Sequence, residues 1–295
     1  MEKSFWKYTG SPSAWHLTVA LYFAFAFGAA RFILDRFIFR WLAIWLLIGS
    51  GGTTRLTLDG RTRRKLVKCT ESLWKLTYYL TIEFFTVATA YREPWFRGVS
   101  VTQYFIGWPH HEIKLPLKLI YMCQCGFHIY SIAALLLWET RRKDFPVMMA
   151  HRAVTVILIS SSYVSSLFQI GAVILLLHDA SDVFLEAAKI FKYSVNEPGA
   201  RLCFGCFALS WFILGLIVFP FWVIWSSRGF YFSCKTMDLS QAYNKLLYCF
   251  FNTMLFTLLF FHLYWWKLIC CMVVMQMQSL GRVVEDIRSD SEEDD

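Results

Sequence analysis

Seven apolar runs, each close to the length of a membrane-crossing helix, alternate along the chain with short polar segments. A helix needs about 20 such residues to cross a hydrocarbon core. The runs extend from near Ala14 to Leu34, Ser72 to Tyr91, Leu117 to Trp138, Val147 to Leu167, Gln169 to Ile190, Leu202 to Trp225 and Leu246 to Trp266. An aromatic and basic stretch, Arg36 to Trp45, follows the first run, and Pro94-Trp95-Phe96 closes the second as an interfacial anchor. Basic side chains collect between alternate runs: Arg55, Arg61, Arg63, Arg64, Lys65 and Lys68, then Arg141-Arg142-Lys143, then Lys189, Lys192 and Arg201. Such loops stay on the cytoplasmic side. The pattern therefore predicts an all-α membrane protein with seven transmembrane helices, a lumenal N-terminus and a cytoplasmic C-terminus.

Composition strengthens the membrane reading. Hydrophobic residues make up 57% of the chain, aromatic ones 19% and charged ones 17%, whereas soluble domains run nearer a quarter charged. The net charge of +8 reflects the cytoplasmic loops. No basic module interleaved with aromatics is present, so no nucleic-acid partner is expected. Nine cysteines are scattered and mostly apolar in setting. Cys203-Phe-Gly-Cys206 has redox spacing but no second pair, and it reads as packing. Residues 281–295 form an acidic tail in which Ser289 and Ser291 stand among carboxylates, the setting of an acidophilic-kinase site or of a merely solvated tail.

The chemistry lies where polarity interrupts the apolar pattern. Ionisable residues at bilayer depth cost about 2.5–3.5 kcal/mol each on insertion scales, so a group of them marks a functional site. The fifth run holds His178, Asp179, Asp182 and Glu186, which at about 100° per residue share roughly a third of the helix circumference. In the fourth run His151 and Arg152 lie near the cytoplasmic end. Counting at about 1.5 Å per residue sets His151 ~9 Å and Asp182 ~12 Å from that face. A short turn makes these helices antiparallel neighbours, so His151 and the two aspartates are expected to meet in one water-accessible pocket. Tyr121, Gln124, His128 and Glu139 stack at helical spacing in the third run and offer a compatible face. His128 alone also fits a hydrogen-bonded packing role, and Thr155 with Ser160, Ser161 and Ser162 fits helix packing. A neutral imidazole takes up a proton or an acyl group, and a neighbouring carboxylate fixes its tautomer. No histidine box of the kind used by iron sites is present, so neither a metal nor another cofactor is expected.

From Arg141 to Lys189 the chain reads RRKDFPVMMAHRAVTVILISSSYVSSLFQIGAVILLLHDASDVFLEAAK. This stretch resembles the Lag motif of the ceramide synthases within the TLC-domain family. The KCTESLWKLTYY entry, PWF, the CGFHIYSIAALLLWETRRKDF span and the acidic tail extend the resemblance over nearly the whole chain. No homeobox-like insert separates the first two spans, as in the plant type.

The resemblance implies a multi-pass enzyme of the endoplasmic reticulum that transfers a fatty acyl group from acyl-CoA to the amine of sphinganine or phytosphingosine. It implies a six-helix barrel of spans two to seven around a lipid tunnel, within a TLC domain over 72–280 that follows an N-terminal span and basic segment over 1–71. It also implies contact with membrane lipids and assembly as a homo- or heterodimer. By position, His151 matches the first His of the family's His pair, read as the acyl carrier, and Asp179 and Asp182 match its acidic pair. His178 and Glu186 complete the HDxSDxxLE stretch.

CoA phosphates would meet Arg141, Arg142, Lys143 and Lys189 at the cytoplasmic mouth. The loop from Ser226 to Lys245 is expected to influence acyl length.

The second His of the pair is Arg152 here. Arg is permanently charged and cannot act as base or acyl carrier. From its place on the helix it is expected to pair with Asp179 or Asp182. One outcome is an enzyme of reduced or lost turnover that still binds substrates. The other is tolerance, because His151 performs the covalent step. A non-catalytic lipid-binding or lipid-sensing TLC protein is the alternative function.

Overall fold

The computed structural model describes residues 4–48, 60–97, 101–139, 142–227 and 241–278. Almost every described element is helical. A short strand, β1 (Thr9–Gly10), leads through a 3-10 turn (Ala14–Leu17) into α1 (Thr18–Leu34), a π-helical segment (Asp35–Phe39) and α2 (Arg40–Ile48). Next come α3 (Gly60–Ala90), the one-turn α4 (Pro94–Arg97) and β2 (Ile113–Lys114). The long helices α5 (Leu115–Leu137), α6 (Phe145–Val164) and α7 (Phe168–Tyr193) follow. The C-terminal part holds α8 (Glu197–Ser210), a π-helix that continues it (Trp211–Ile224), and α9 (Gln241–Gln278).

Helix boundaries follow local chemistry. Pro146, Pro116 and Pro198 stand in the first turns of α6, α5 and α8, where a missing N–H costs nothing. The Asn196 side chain caps α8 by accepting from the Gly199 amide at 3.0 Å. Between α6 and α7 the chain reverses in three residues, with Ser166 in the left-handed region at φ 60°. That reversal makes α6 and α7 antiparallel, as the short spacing predicts.

Among the described residues, six helical segments are long and apolar enough to cross a membrane: Ala14–Leu47, Leu115–Leu137, Phe145–Val164, Phe168–Tyr193, Glu197–Ser227 and Tyr243–Gln278. Their outward faces carry large apolar side chains; Phe25, Trp41 and Phe221 are each more than 70% exposed, as suits lipid contact. The expected second span lies in α3, which is 31 residues long but does not qualify on apolarity. The reason is local: Glu71, Lys75 and the hydroxyls of Tyr78 and Tyr79 are buried on its inner side.

Packing runs from neighbour to neighbour. Helix α3 lies against α7, α7 against α8 and the π-helix, the π-helix against α9, α9 against α6, α6 against α5, and α5 again against α3. Helix α1 packs on the outside of α5. Its leading segment is tied down by pairing of β1 with β2 and by Lys118, whose Nζ donates to the Lys7 carbonyl at 3.0 Å. His16 adds a 2.6 Å hydrogen bond to the Tyr163 hydroxyl. These ties hold the end of the helix group opposite the basic loops.

Candidate active site

A single elongated cavity is lined from every helix of that group, and the polar side chains of α6 and α7 face into it. His151, Arg152, His178, Asp179, Asp182 and Glu186 all line it. The depth count from sequence therefore holds: the fourth- and fifth-run groups occupy one space. Tyr121 and His128 line it as well. Gln124 stands behind the wall, 1% exposed, and acts on the cavity through its neighbour.

The hydrogen-bond partners differ from expectation. Asp179 accepts from Gln124 Nε2, and Gln124 Oε1 in turn accepts from the Tyr78 hydroxyl at 2.8 Å. Tyr79 of α3 and Asp182 both line the cavity. Asp179 is thus held from α5, through Gln124, rather than from α6. No hydrogen bond among the described residues joins His151 to either carboxylate. Its ring is instead enclosed by aromatic rings: Trp265 edge-on at 5.0 Å, Phe261 at 5.7 Å and His178 at 6.3 Å. Trp265 is itself fixed, because its Nε1 donates to Asp144 at 3.1 Å.

Arg152 corrects a second expectation. Among the described residues it forms no ion pair with Asp179 or Asp182 at 4.0 Å or less. Asp179 is held by the Gln124 amide instead, and Arg152 lines the cavity.

Near the basic loops the charges are paired. Lys75 reaches Glu71 at 2.7 Å and Glu139 at 3.1 Å, and Lys189 reaches Glu186 at 2.6 Å. Of the basic residues expected to meet phosphates, Arg142 and Lys189 line the cavity, Lys143 is exposed outside it, and Arg141 lies outside the described residues. Most of the segment Ser226–Lys245, and Ser289 with Ser291, also lie outside them; Ser226 and Ser227 line the far end. Cys203 and Cys206 are free thiols.

One functional side chain was missed in the sequence. His262 of α9 is 3% exposed and its Nε2 lies 2.9 Å from His178 Nε2. It sits in the run Phe260-Phe261-His262-Leu263-Tyr264-Trp265-Trp266. The cost of an ionisable residue at bilayer depth, which singled out His178, applies equally to it. His178 also bonds the Ile174 carbonyl through Nδ1 at 2.7 Å, while His128 keeps a buried Nδ1 without a hydrogen-bond partner.

The arrangement brings together an imidazole without a hydrogen bond among the described residues, two carboxylates and a largely apolar cavity with Arg142, Arg152 and Lys189 in its lining. Comparison with known proteins gives the class a name. The TLC-domain family profile matches residues 68–271. Ceramide synthase LOH2 of Arabidopsis thaliana is 54% identical over 285 residues, covering 97% of this chain and 95% of the relative. Ceramide synthase 1 LOH3 of the same plant is 44% identical over 98% of this chain and 95% of its own length. ASC1-like protein 3 of rice is 49% identical over 97% of this chain and 99% of its own length. The chain belongs to the TLC-domain family, in its ceramide synthase branch.

Proposed function

We propose that the protein is a ceramide synthase, which joins a fatty acyl group from acyl-CoA to the amine of a sphingoid base. The observation that carries this reading is His151, held inside a largely apolar cavity with no hydrogen bond to its ring among the described residues and with both aspartates lining the same space. A thioester is an activated acyl donor, so one well-placed nucleophile suffices. Acyl-CoA enters from the cytoplasmic mouth, its phosphates drawn by Arg142 and Lys189 and by the guanidinium of Arg152. Its acyl chain lies along the apolar wall of α6, α7 and α9, and burial at about 0.8 kcal/mol per methylene supplies ample binding energy.

The imidazole nitrogen of His151 bonds to the thioester carbonyl carbon, and the carbon–sulfur bond breaks with its electron pair going to the CoA sulfur. Asp179 and Asp182 attract the ammonium head of the long-chain base and take one proton from it. The free amine then attacks the acyl-imidazole, the amide forms, and His151 is released. Tight enclosure by Trp265 and Phe261 keeps water from the acyl-imidazole, which would otherwise hydrolyse.

The helices from α3 to α9 act as a six-helix barrel, with α3 as one of seven spans. The cyclic order of their packing supports this. The basic ends of α3, α6 and α7 face the cytoplasm, and the enzyme resides in the endoplasmic reticulum membrane.

Incubation of membranes with acyl-CoA and labelled sphinganine tests the proposal. Ceramide forms with the chain as written and falls at least about a hundredfold in His151→Ala, the range of lost nucleophilic or acid–base catalysis. Intact-protein mass spectrometry with acyl-CoA alone shows an acyl adduct that is absent in the variant. The presence of Arg152 favours the lipid-binding reading as the second possibility; acyl-CoA binding without adduct or ceramide, in the chain and in Arg152→His alike, would establish it.

A further inference from the structure

The contact between His178 and His262 has a proton count that one neutral tautomer pair cannot meet. The Nδ1 of His178 points at the Ile174 carbonyl at 2.7 Å, and the Nδ1 of His262 at the Gly215 carbonyl at 3.1 Å. A carbonyl oxygen only accepts, so each Nδ1 carries a hydrogen. A neutral imidazole has one N–H, which leaves both Nε2 atoms bare. Yet these atoms face each other at 2.9 Å, where two lone pairs repel. One additional proton between them resolves the conflict. A metal bridge fits less well, since two imidazoles on a tetrahedral zinc at about 2.0–2.1 Å stand about 3.3 Å apart.

The fold supplies the reason for His262's orientation. Gly215 lies in the π-helix Trp211–Ile224, which contains Pro220. In an i→i+5 ladder the amide that would bond the Gly215 carbonyl is that of residue 220, and proline has none. The orphaned carbonyl turns to His262. Gly215 carries no side chain, and a Cβ there would touch His262 Nδ1 at 3.4 Å. A break in the helix ladder thus holds one ring of the pair, and α7 holds the other.

We propose that His178 and His262 form an imidazole–imidazolium pair sharing one proton, and that this pair is the proton reservoir for acyl transfer at His151. His178 lines the cavity and its ring centroid is 6.3 Å from that of His151. His178 is therefore the catalytic member. His262 acts through it and is a positioning residue.

The proposal rests on the acyl-transfer reading and completes its balance. When His151 attacks, the departing thiolate takes the shared proton from His178 Nε2 and leaves as CoA thiol. The pair is then neutral while the acylated His151 ring carries the positive charge. When the free amine attacks, the nitrogen forming the amide passes its proton to His178 Nε2, the acyl–imidazole bond breaks, and the pair regains its charge. The histidine cluster holds one positive charge before and after each step. In a medium of low dielectric, moving one charge costs far less than creating a second.

The test uses the full chain in bilayers and two readouts. In the resting enzyme with 15N-labelled histidine, solid-state NMR shows the Nε2 atoms of two rings coupled through one proton, with both Nδ1 atoms protonated. His262→Gln keeps a side chain able to bond His178 but cannot hold the extra proton. It lowers kcat about a hundredfold, within the range of acid–base catalysis, and leaves KM for acyl-CoA within about twofold; His262→Phe loses the same or more. The acyl adduct on His151 still forms in His262→Gln, more slowly.

Two NMR results overturn the proposal: a ring whose Nδ1 is unprotonated, or a bridging metal retained through chelation. So does a His262→Gln enzyme that folds and keeps its kcat. The acyl-carrier reading fails separately, if the unaltered chain gives no adduct while the coupled rings and the kcat loss remain.

Discussion

Arg152 shares the cavity with His151. If His151 carries the acyl group as proposed, acylation places a positive charge on its imidazole, which the guanidinium opposes. Among the described residues Arg152 makes no ion pair with Asp179 or Asp182, and Asp179 is held by Gln124. At an effective dielectric of about 20, a like charge within one helical turn opposes by roughly 1–3 kcal/mol. Arg152→His is expected to raise kcat about tenfold, because the replacement is neutral when His151 is acylated. The same change weakens attraction of CoA phosphates and raises KM for acyl-CoA a few-fold. Steady-state assay of the purified variant separates the two effects. A kcat that falls instead would assign Arg152 a productive contact with the transition state.

At the scale of elements, the π-helix after α8 joins backbone geometry to catalysis. Pro220 deprives Gly215 of its helical donor, and His262 supplies the replacement at 3.1 Å. Pro220→Ala returns an amide to the ladder, and the Gly215 carbonyl then has a donor without His262. The helix gains regularity, worth up to about 3 kcal/mol on propensity alone, while the imidazole loses its anchor. Expected is a Tm equal to or above that of the parent with kcat lowered about tenfold. Measurement of both on one preparation decides it; unaltered kcat would show that His262 is held by packing.

This device was invisible in the sequence, where Pro220 and His262 are separated by forty-odd residues and neither forms a motif. The depth rule, in contrast, placed His151 and the aspartates in one cavity, because residue counts along antiparallel helices convert directly to distance. Direction of hydrogen bonding did not follow from depth. Gln124, itself held by Tyr78, intercepts Asp179 from α5 and α3, and nothing in the spacing of α6 and α7 announces it. Helix α3 was legible as a long segment, but its inward-facing charges blur the apolar signal.

At the scale of the whole molecule, an acyl chain bound as proposed would run along the cavity away from the basic loops, and that far end should set how much of it fits. From His178 to Ile170 the α7 wall spans eight residues, about 12 Å at ~1.5 Å per residue. At that level Tyr121 and Leu167 line the cavity. Tyr121 is held there by donating its hydroxyl to the Phe168 carbonyl at 2.9 Å. Gly171 makes the arrangement possible: a Cβ at that position would lie 2.0 Å from the Tyr121 oxygen and 3.1 Å from the Ser162 hydroxyl. Gly171→Ala therefore drives the Tyr121 ring into the tunnel and breaks its hydrogen bond. Overpacking of this kind costs about 1–3 kcal/mol, so Tm falls by several degrees while the fold persists. The ceramides formed from a mixture of acyl-CoAs shift to shorter chains, as read by lipid mass spectrometry. The double change Gly171→Ala with Tyr121→Phe, which removes the clashing oxygen, restores the longer products. An unshifted mixture from a folded Gly171→Ala protein would move the length limit away from this end of α7.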